Sequence, residues 1–258
     1  MHIIDSLPLW AVYLLTVGLC LLAEELGFLL GKSWKKRHPQ ASESQIGPMI
    51  AATLGLWAFL LAFLVGNAAS RFDARRDLVV NEANSIGTTF LRAGYLPEPY
   101  TSESRALLKE YANERLRLVE LDTYLPARQR LEEIQVGLWG IAEQLAESQP
   151  PNPLLALYIT SLNETIDLHT NRITVLTVGR VPFTIYAGMY LVAFLGLLML
   201  GFQSGIGGYR DLFATIVLIA IFSGIMLLII DLDRPWGGLL RVSQQPMQDL
   251  IDSFSSFK

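Results

Sequence analysis

Three clusters of charge lie where the chain passes between apolar and polar sequence, and each could act on an ion. In Arg71-Phe-Asp-Ala-Arg-Arg-Asp77, Arg71 and Arg75 are four residues apart, as are Asp73 and Asp77, and Asp73 precedes Arg76 by three. On a helix this spacing makes an interfacial ladder whose arginines reach lipid phosphates. Repeated around a symmetric assembly, Arg71, Arg75 and Arg76 would instead ring a pore mouth and concentrate anions. Glu24 and Glu25 close an apolar run. Inside a membrane such acids are functional candidates, and just beyond it they are ordinary headgroup-layer charges. In Asp231-Leu-Asp-Arg-Pro235, the carboxylates Asp231 and Asp233 need hydration or a partner, and Arg234 is the nearest cation. Pro235 with Gly237 and Gly238 turns the chain there, and Trp236 suits an interfacial anchor.

Catalysis has little foothold. The sequence has no P-loop, no dinucleotide fingerprint, no zinc-protease motif and no nucleophile elbow. His2, His38 and His169 are scattered, and Cys20 is the only cysteine, so no metal site and no cofactor is expected. A net charge of −4 gives no reason to expect nucleic-acid binding.

The elements that must position these charges are set by composition. Hydrophobic residues make up 52% of the 258, charged residues 17%, and mean hydropathy is +0.37. Soluble domains carry about a quarter charged residues. The deficit is concentrated in Leu7–Leu30, Met49–Ala69, Val181–Phe202 and Leu212–Ile230. Each approaches the roughly 20 apolar residues that cross about 30 Å of hydrocarbon. The N-terminus lacks the positive charge of a signal peptide, and the first run is expected to stay as an uncleaved helix.

The predicted class is all-α: two transmembrane hairpins flanking a helical extramembrane domain. Its segments are hairpin 1 at 1–70, the helical domain at 71–180, hairpin 2 at 181–230 and a tail at 231–258. Val79, Ala83, Ile86 and Phe90 recur at helical spacing with no breaker from Ala69 to Tyr95, which predicts that span two continues as one long helix. The prolines of Leu96-Pro-Glu-Pro99 end it. Charged amphipathic helices follow over Ser102–Leu121 and Ala127–Ser148, and a last one runs from Leu154 to about Val178, interrupted near Pro182. Glu82, Ser85, Thr89 and Arg92 form one polar row, and Asn163, Asp167, Asn171 and Thr174 another. The rows could pair in a hydrogen-bonded core or line a wet vestibule. Gly87 interrupts the first helix at a cost of about 1 kcal/mol relative to Ala, which suggests close helix contact. Ala51, Gly55, Ala58, Ala62 and Gly66, with Ala220 and Gly224, allow close helix approach in the spans.

The run Arg71–Asp77 with Asn81-Glu-Ala-Asn-Ser-Ile-Gly87, the Leu162-Asn-Glu-Thr-Ile-Asp167 segment, and Asp231–Pro235 with Gly238-Leu-Leu-Arg241 resemble the bacterial bestrophin-like domain family. The resemblance extends from the first hydrophobic run to Pro246. Through its distant similarity to bestrophins, it implies a homo-oligomer, pentameric by analogy, that conducts anions through a bacterial inner membrane. The basic loop at Lys32, Lys35, Lys36 and Arg37 favours that loop being cytoplasmic, whereas the family analogy favours a cytoplasmic middle domain.

The expected function is a passive, homo-oligomeric ion channel, anion-selective through its arginines, with the lipid bilayer and inorganic ions as its partners. Span two is the expected pore lining, with Leu54, Trp57, Leu61, Val65 and Asn67 as pore or gate candidates. Arg71, Arg75, Arg76, Glu82 and Arg92 are the pore-mouth candidates, and Asp231, Asp233 and Arg234 a structural clasp. The alternatives are a non-conducting scaffold that binds a partner through its middle helices, and a proton- or cation-coupled transporter using Glu24 or Glu25.

Overall fold

The computed structural model describes residues 7–40, 46–118, 122–148, 150–177, 179–234 and 237–256. Among these there are eight α-helices, a closing 3-10 turn at Phe254–Ser256 and no strand. The helices are α1 (Leu9–Arg37), α2 (Gly47–Ala93), α3 (Tyr100–Arg117), α4 (Tyr124–Ser148), α5 (Pro153–Thr177), α6 (Phe183–Gly207), α7 (Leu212–Asp233) and α8 (Gln245–Ser253). Four of them, α1, α2, α6 and α7, are long and apolar enough to cross a membrane.

Local chemistry explains the ends. Pro8 and Pro182 directly precede α1 and α6, where a missing amide hydrogen costs no helical bond. The last turn of α1 carries Lys35, Lys36 and Arg37, which complement the negative end of the helix dipole. This basic turn extends α1 past the expected end at Leu30. Gly208 closes α6 in the left-handed region at φ 74°. The Asp211 carboxylate accepts the Ala214 amide at 3.0 Å and caps α7. Pro235 and Trp236, to which the turn and interfacial anchor were assigned, lie outside the described residues, as does Val178.

The chain divides into two compact units. The first comprises Met1–Arg71, Val181–Arg234 and Gly238–Leu240; the second comprises Phe72–Arg180, Pro235–Gly237 and Arg241–Lys258. Helix α2 is unbroken over 47 residues and contributes to both.

Within the first unit, α1 lies along α6 at backbone contact. A Cβ at Gly27 or Gly31 would collide with the carbonyls of Leu198 or Phe202, and one at Gly201 or Gly205 with those of Glu24 or Phe28. Two glycine pairs at i,i+4 spacing thus face each other's backbones, the arrangement that lets membrane helices approach closely. The small residues singled out from sequence lie elsewhere. Ala51, Gly55, Ala58, Ala62 and Gly66 are exposed, as are Ala220 and Gly224, and Gly55, Gly66 and Gly224 have no neighbour within 4 Å of a built Cβ.

The second unit packs α3, α4 and α5 around the later part of α2. Its core contains Ile86, Phe90, Leu108, Tyr111, Leu131, Leu138, Tyr158 and Leu162. The segment expected as a tail adds α8 and the closing 3-10 turn: Met247 and Phe254 join this core, with the Phe254 ring tilted against Phe90 at 4.4 Å. A Cβ on Gly87 would meet Leu250 Cδ1 at 3.0 Å, so α8 is the close neighbour that this glycine admits.

Candidate functional site

The first 23 residues of α2 present two faces. Trp57, Leu61 and Leu64 are buried, and the Trp57 ring lies 4.0 Å from Phe222 of α7. Leu56, Phe59 and Phe63 point outward with 57, 69 and 66% exposure, and Asn67 follows Phe63 by one turn, also exposed. Of the five residues expected at a pore, Trp57 and Leu61 are therefore turned into the protomer's own bundle, Leu54 and Val65 are half-buried, and Asn67 is on the outer surface. Sequence reasoning chose bulky positions along the span without knowing which face the other helices cover.

The charged stretch that follows is also divided by face. Arg76, Asp73 and Asp77 are exposed, Arg71 is half-buried, and Arg75 is buried with its guanidinium 5.9 Å from the Phe72 ring. Arg92 is half-buried and donates to the Leu157 carbonyl at 2.9 Å.

Glu82 lies inside the second unit, fully buried. Its Oε2 accepts from Arg115 Nη2 of α3 and from Arg172 Nη1 of α5, both at 2.6 Å. Arg172 Nη2 donates onward to the Gln244 side chain at 2.7 Å, and Arg115 Nη1 meets His169 Nδ1 at 3.3 Å. Burial alone would raise the Glu82 carboxyl, but the two guanidinium groups outweigh it and hold the group below the usual carboxylate range. Burial, reinforced by Arg115, lowers Arg172 from its ordinary value against the pull of Glu82. Burial, with Arg115 adding to it, pushes the His169 imidazole down to about 4. Burial raises the Tyr111 hydroxyl.

One turn along α2 the same face continues in hydroxyls. Ser85 Oγ and Thr89 Oγ1 lie 2.9 and 3.1 Å from Thr165 Oγ1 of α5. The polar row of α2 is thus a hydrogen-bonded contact with α5, made through Thr165, Arg172 and the Leu157 carbonyl. The α5 row singled out from sequence, Asn163, Asp167, Asn171 and Thr174, is exposed throughout.

Two further clasps hold the first unit. Arg210, in the turn between α6 and α7, reaches Glu25 at 2.7 Å and Glu24 at 3.4 Å, with its guanidinium 3.7 Å over the Phe28 ring. At the end of α7, Asp231 Oδ1 accepts the Leu239 amide at 2.9 Å and Oδ2 the Leu240 amide at 3.0 Å. Asp233 accepts the Val181 amide at 3.1 Å, and Arg234 donates to the Leu7 carbonyl at 2.8 Å. Sequence paired these residues locally; here each also bonds a backbone group, one of them more than two hundred residues away. Among the described residues, no cluster of three or more His, Cys, Asp or Glu could hold a metal ion.

Four apolar helices and a helical second unit define an all-α membrane protein. A family model, the Bestrophin-like domain, matches residues 17–247, and the chain belongs to that family. Its fold is that of a bacterial bestrophin homologue from Klebsiella pneumoniae, with a TM-score of 0.64 at 18% identity over 96% of this chain and 97% of the other. A single-substitution variant of the Klebsiella pneumoniae homologue aligns with a TM-score of 0.67 at 16% identity over 95% and 97%. A crystal structure described as a membrane protein aligns at 0.69 and 15% identity over 96% and 97%. A comparison with curated proteins returns no match.

Proposed function

We propose that the protein is a passive, homo-oligomeric ion channel of a bacterial inner membrane, with the outward face of α2 lining its pore. The observation that carries this reading is the division of α2. One face is packed against the protomer's own helices, while the other leaves Phe59, Phe63 and Asn67 in line and uncovered. In a ring of copies, Phe59 and Phe63 would form an apolar constriction that gates by dewetting. The stripe Ala51, Gly55, Ala58, Ala62 and Gly66 would let neighbouring copies pack closely. Family membership and the likeness in fold to bacterial bestrophin homologues support the same reading.

The exposed charges just beyond are two carboxylates and one guanidinium, because Arg75 is buried and Arg71 half-buried. The arginine ring that motivated an anion preference loses a member, and we propose conduction without that preference. The second unit is proposed to be cytoplasmic.

Purified protein in planar bilayers should pass ions in discrete steps, and salt gradients would give the selectivity from the reversal potential. If no reconstituted assembly conducts, the channel reading fails. Stoichiometric copurification of a foreign subunit would then favour a scaffold.

A further inference from the structure

The contact between Arg115 and His169 fixes a protonation state by geometry alone. A guanidinium has donors and no acceptor, so at 3.3 Å His169 Nδ1 must present its lone pair and the ring is neutral. Neutral imidazole carries its one hydrogen on Nε2, so the next proton has to go to Nδ1. There it would set N–H against N–H and place a cation beside Arg115.

The surroundings cannot absorb that charge. From α3, Arg115 and Tyr111 face the ring; from α2, Glu82; from its own helix, Arg172; from α4, Arg128 and Glu132. Glu82 is the one carboxylate at the centre and already serves two guanidinium groups. Glu132 is held by Arg128 at 3.0 Å. Gln244, on the far side of Arg172, is neutral.

We propose that His169 and the Glu82–Arg115–Arg172 cluster form an acid-sensitive lock on the second unit, which holds α5 against α2 and α3 while the imidazole is neutral and releases α5 when Nδ1 takes a proton. The lock is a property of this unit and stands whether or not the assembly conducts.

The sign follows from the two states. The ring titrates at about 4 in the closed unit and near the ordinary 6.5 once released. Between these values the released state binds more protons, so acid favours release, with a slope that approaches about ten-fold per pH unit midway. Glu82 adds its own acid sensitivity only below its ordinary value of 4.5, so the window from 6.5 to 4.5 isolates the histidine.

Hydrogen exchange on the full-length protein in nanodiscs tests this, with amides around 165–172 of α5 compared with those of α6 and corrected for intrinsic exchange. From pH 6.5 to 4.5 the α5 amides should lose about 40-fold of their protection while those of α6 keep theirs. In His169→Gln, whose side-chain carbonyl can still accept from Arg115, protection should stay within about two-fold over this window. Unchanged protection in the native protein, or an equal loss in the variant, overturns the proposal. Should the variant fail to fold, histidine NMR on the native protein decides. A ring still neutral at pH 5 supports the lock, and one that titrates near 6.5 removes it.

Discussion

Glu82 and Arg172, ninety residues apart in the chain, meet at 2.6 Å with side-chain exposures of 0 and 7%. Arg115 meets the same carboxylate oxygen, so one buried anion joins three helices of the second unit.

Removing that anion strands two buried cations. Glu82→Gln is expected to lower stability by about 3–5 kcal/mol, the usual effect of breaking a buried ion cluster from one side. Replacing Glu82, Arg115 and Arg172 together with Met should recover most of the loss, because the desolvation of all three charges disappears with them. Thermal unfolding of the purified variants checks both. The carboxyl also predicts acid lability. Its folded value lies below 4.5, so its contribution is complete above 4.5 and is lost as pH falls through the folded value.

The glycine contact between α1 and α6 separates substitutions of identical chemistry. Gly27→Ala or Gly201→Ala meets a backbone carbonyl that cannot rotate away, and overpacking of this kind costs about 1–3 kcal/mol. Gly18→Ala, on the same α1, meets nothing within 4 Å and should be neutral or stabilising by up to about 1 kcal/mol. Equal melting temperatures for Gly27→Ala and Gly18→Ala would contradict the contact.

At the end of α7, Asp231→Ala leaves the Leu239 and Leu240 amides without their acceptor, a loss of about 1–3 kcal/mol. Gly238→Ala should act at the same place, because Gly238 has φ +90° and a Cβ there would strike the Asp231 carboxylate. Limited proteolysis, with faster cleavage around 237–243 in either variant, reports the release of this turn.

The two faces of α2 predict different phenotypes for neighbouring aromatics. Phe63→Ser, on the outward face, should raise unitary conductance or open probability by wetting the proposed constriction. Trp57→Ala removes the ring packed on Phe222 and should cost about 3–5 kcal/mol of stability with unitary conductance unchanged. Single-channel recording beside thermal unfolding separates the two, and a conductance change confined to Trp57→Ala would reverse the assignment of faces.

The spans, the unbroken α2 and the proline breaks were legible because each depends on local composition. The buried ion cluster was half-legible. Glu82 stood out, but Arg115 belongs to a charged helix whose near neighbour Arg117 is solvent-exposed. The signal was its register: Ser104, Leu108, Tyr111 and Arg115 share one buried face at helical spacing, as do Tyr158, Leu162, Thr165, His169 and Arg172 on α5. A polar residue continuing an apolar stripe is the mark of a buried charge. The partners of Glu24 and Glu25, by contrast, were beyond reach, because Arg210 lies 186 residues from Glu24 and nothing local points to it. Helix α8 escaped because nine residues with Met247 as the buried anchor give too short a pattern to read.

The glycine seam also dictates an order of assembly. Helix α1 finds its backbone partner on α6, after more than a hundred intervening residues have been synthesised, and not on the helix that follows it from the ribosome. During translation the first span must therefore wait in the lipid with Gly27 and Gly31 uncovered until Gly201 and Gly205 emerge, while the residues of the second unit are made in the interval. The newborn chain is most open to mispairing during that interval, and a factor that shields a membrane helix would matter most then.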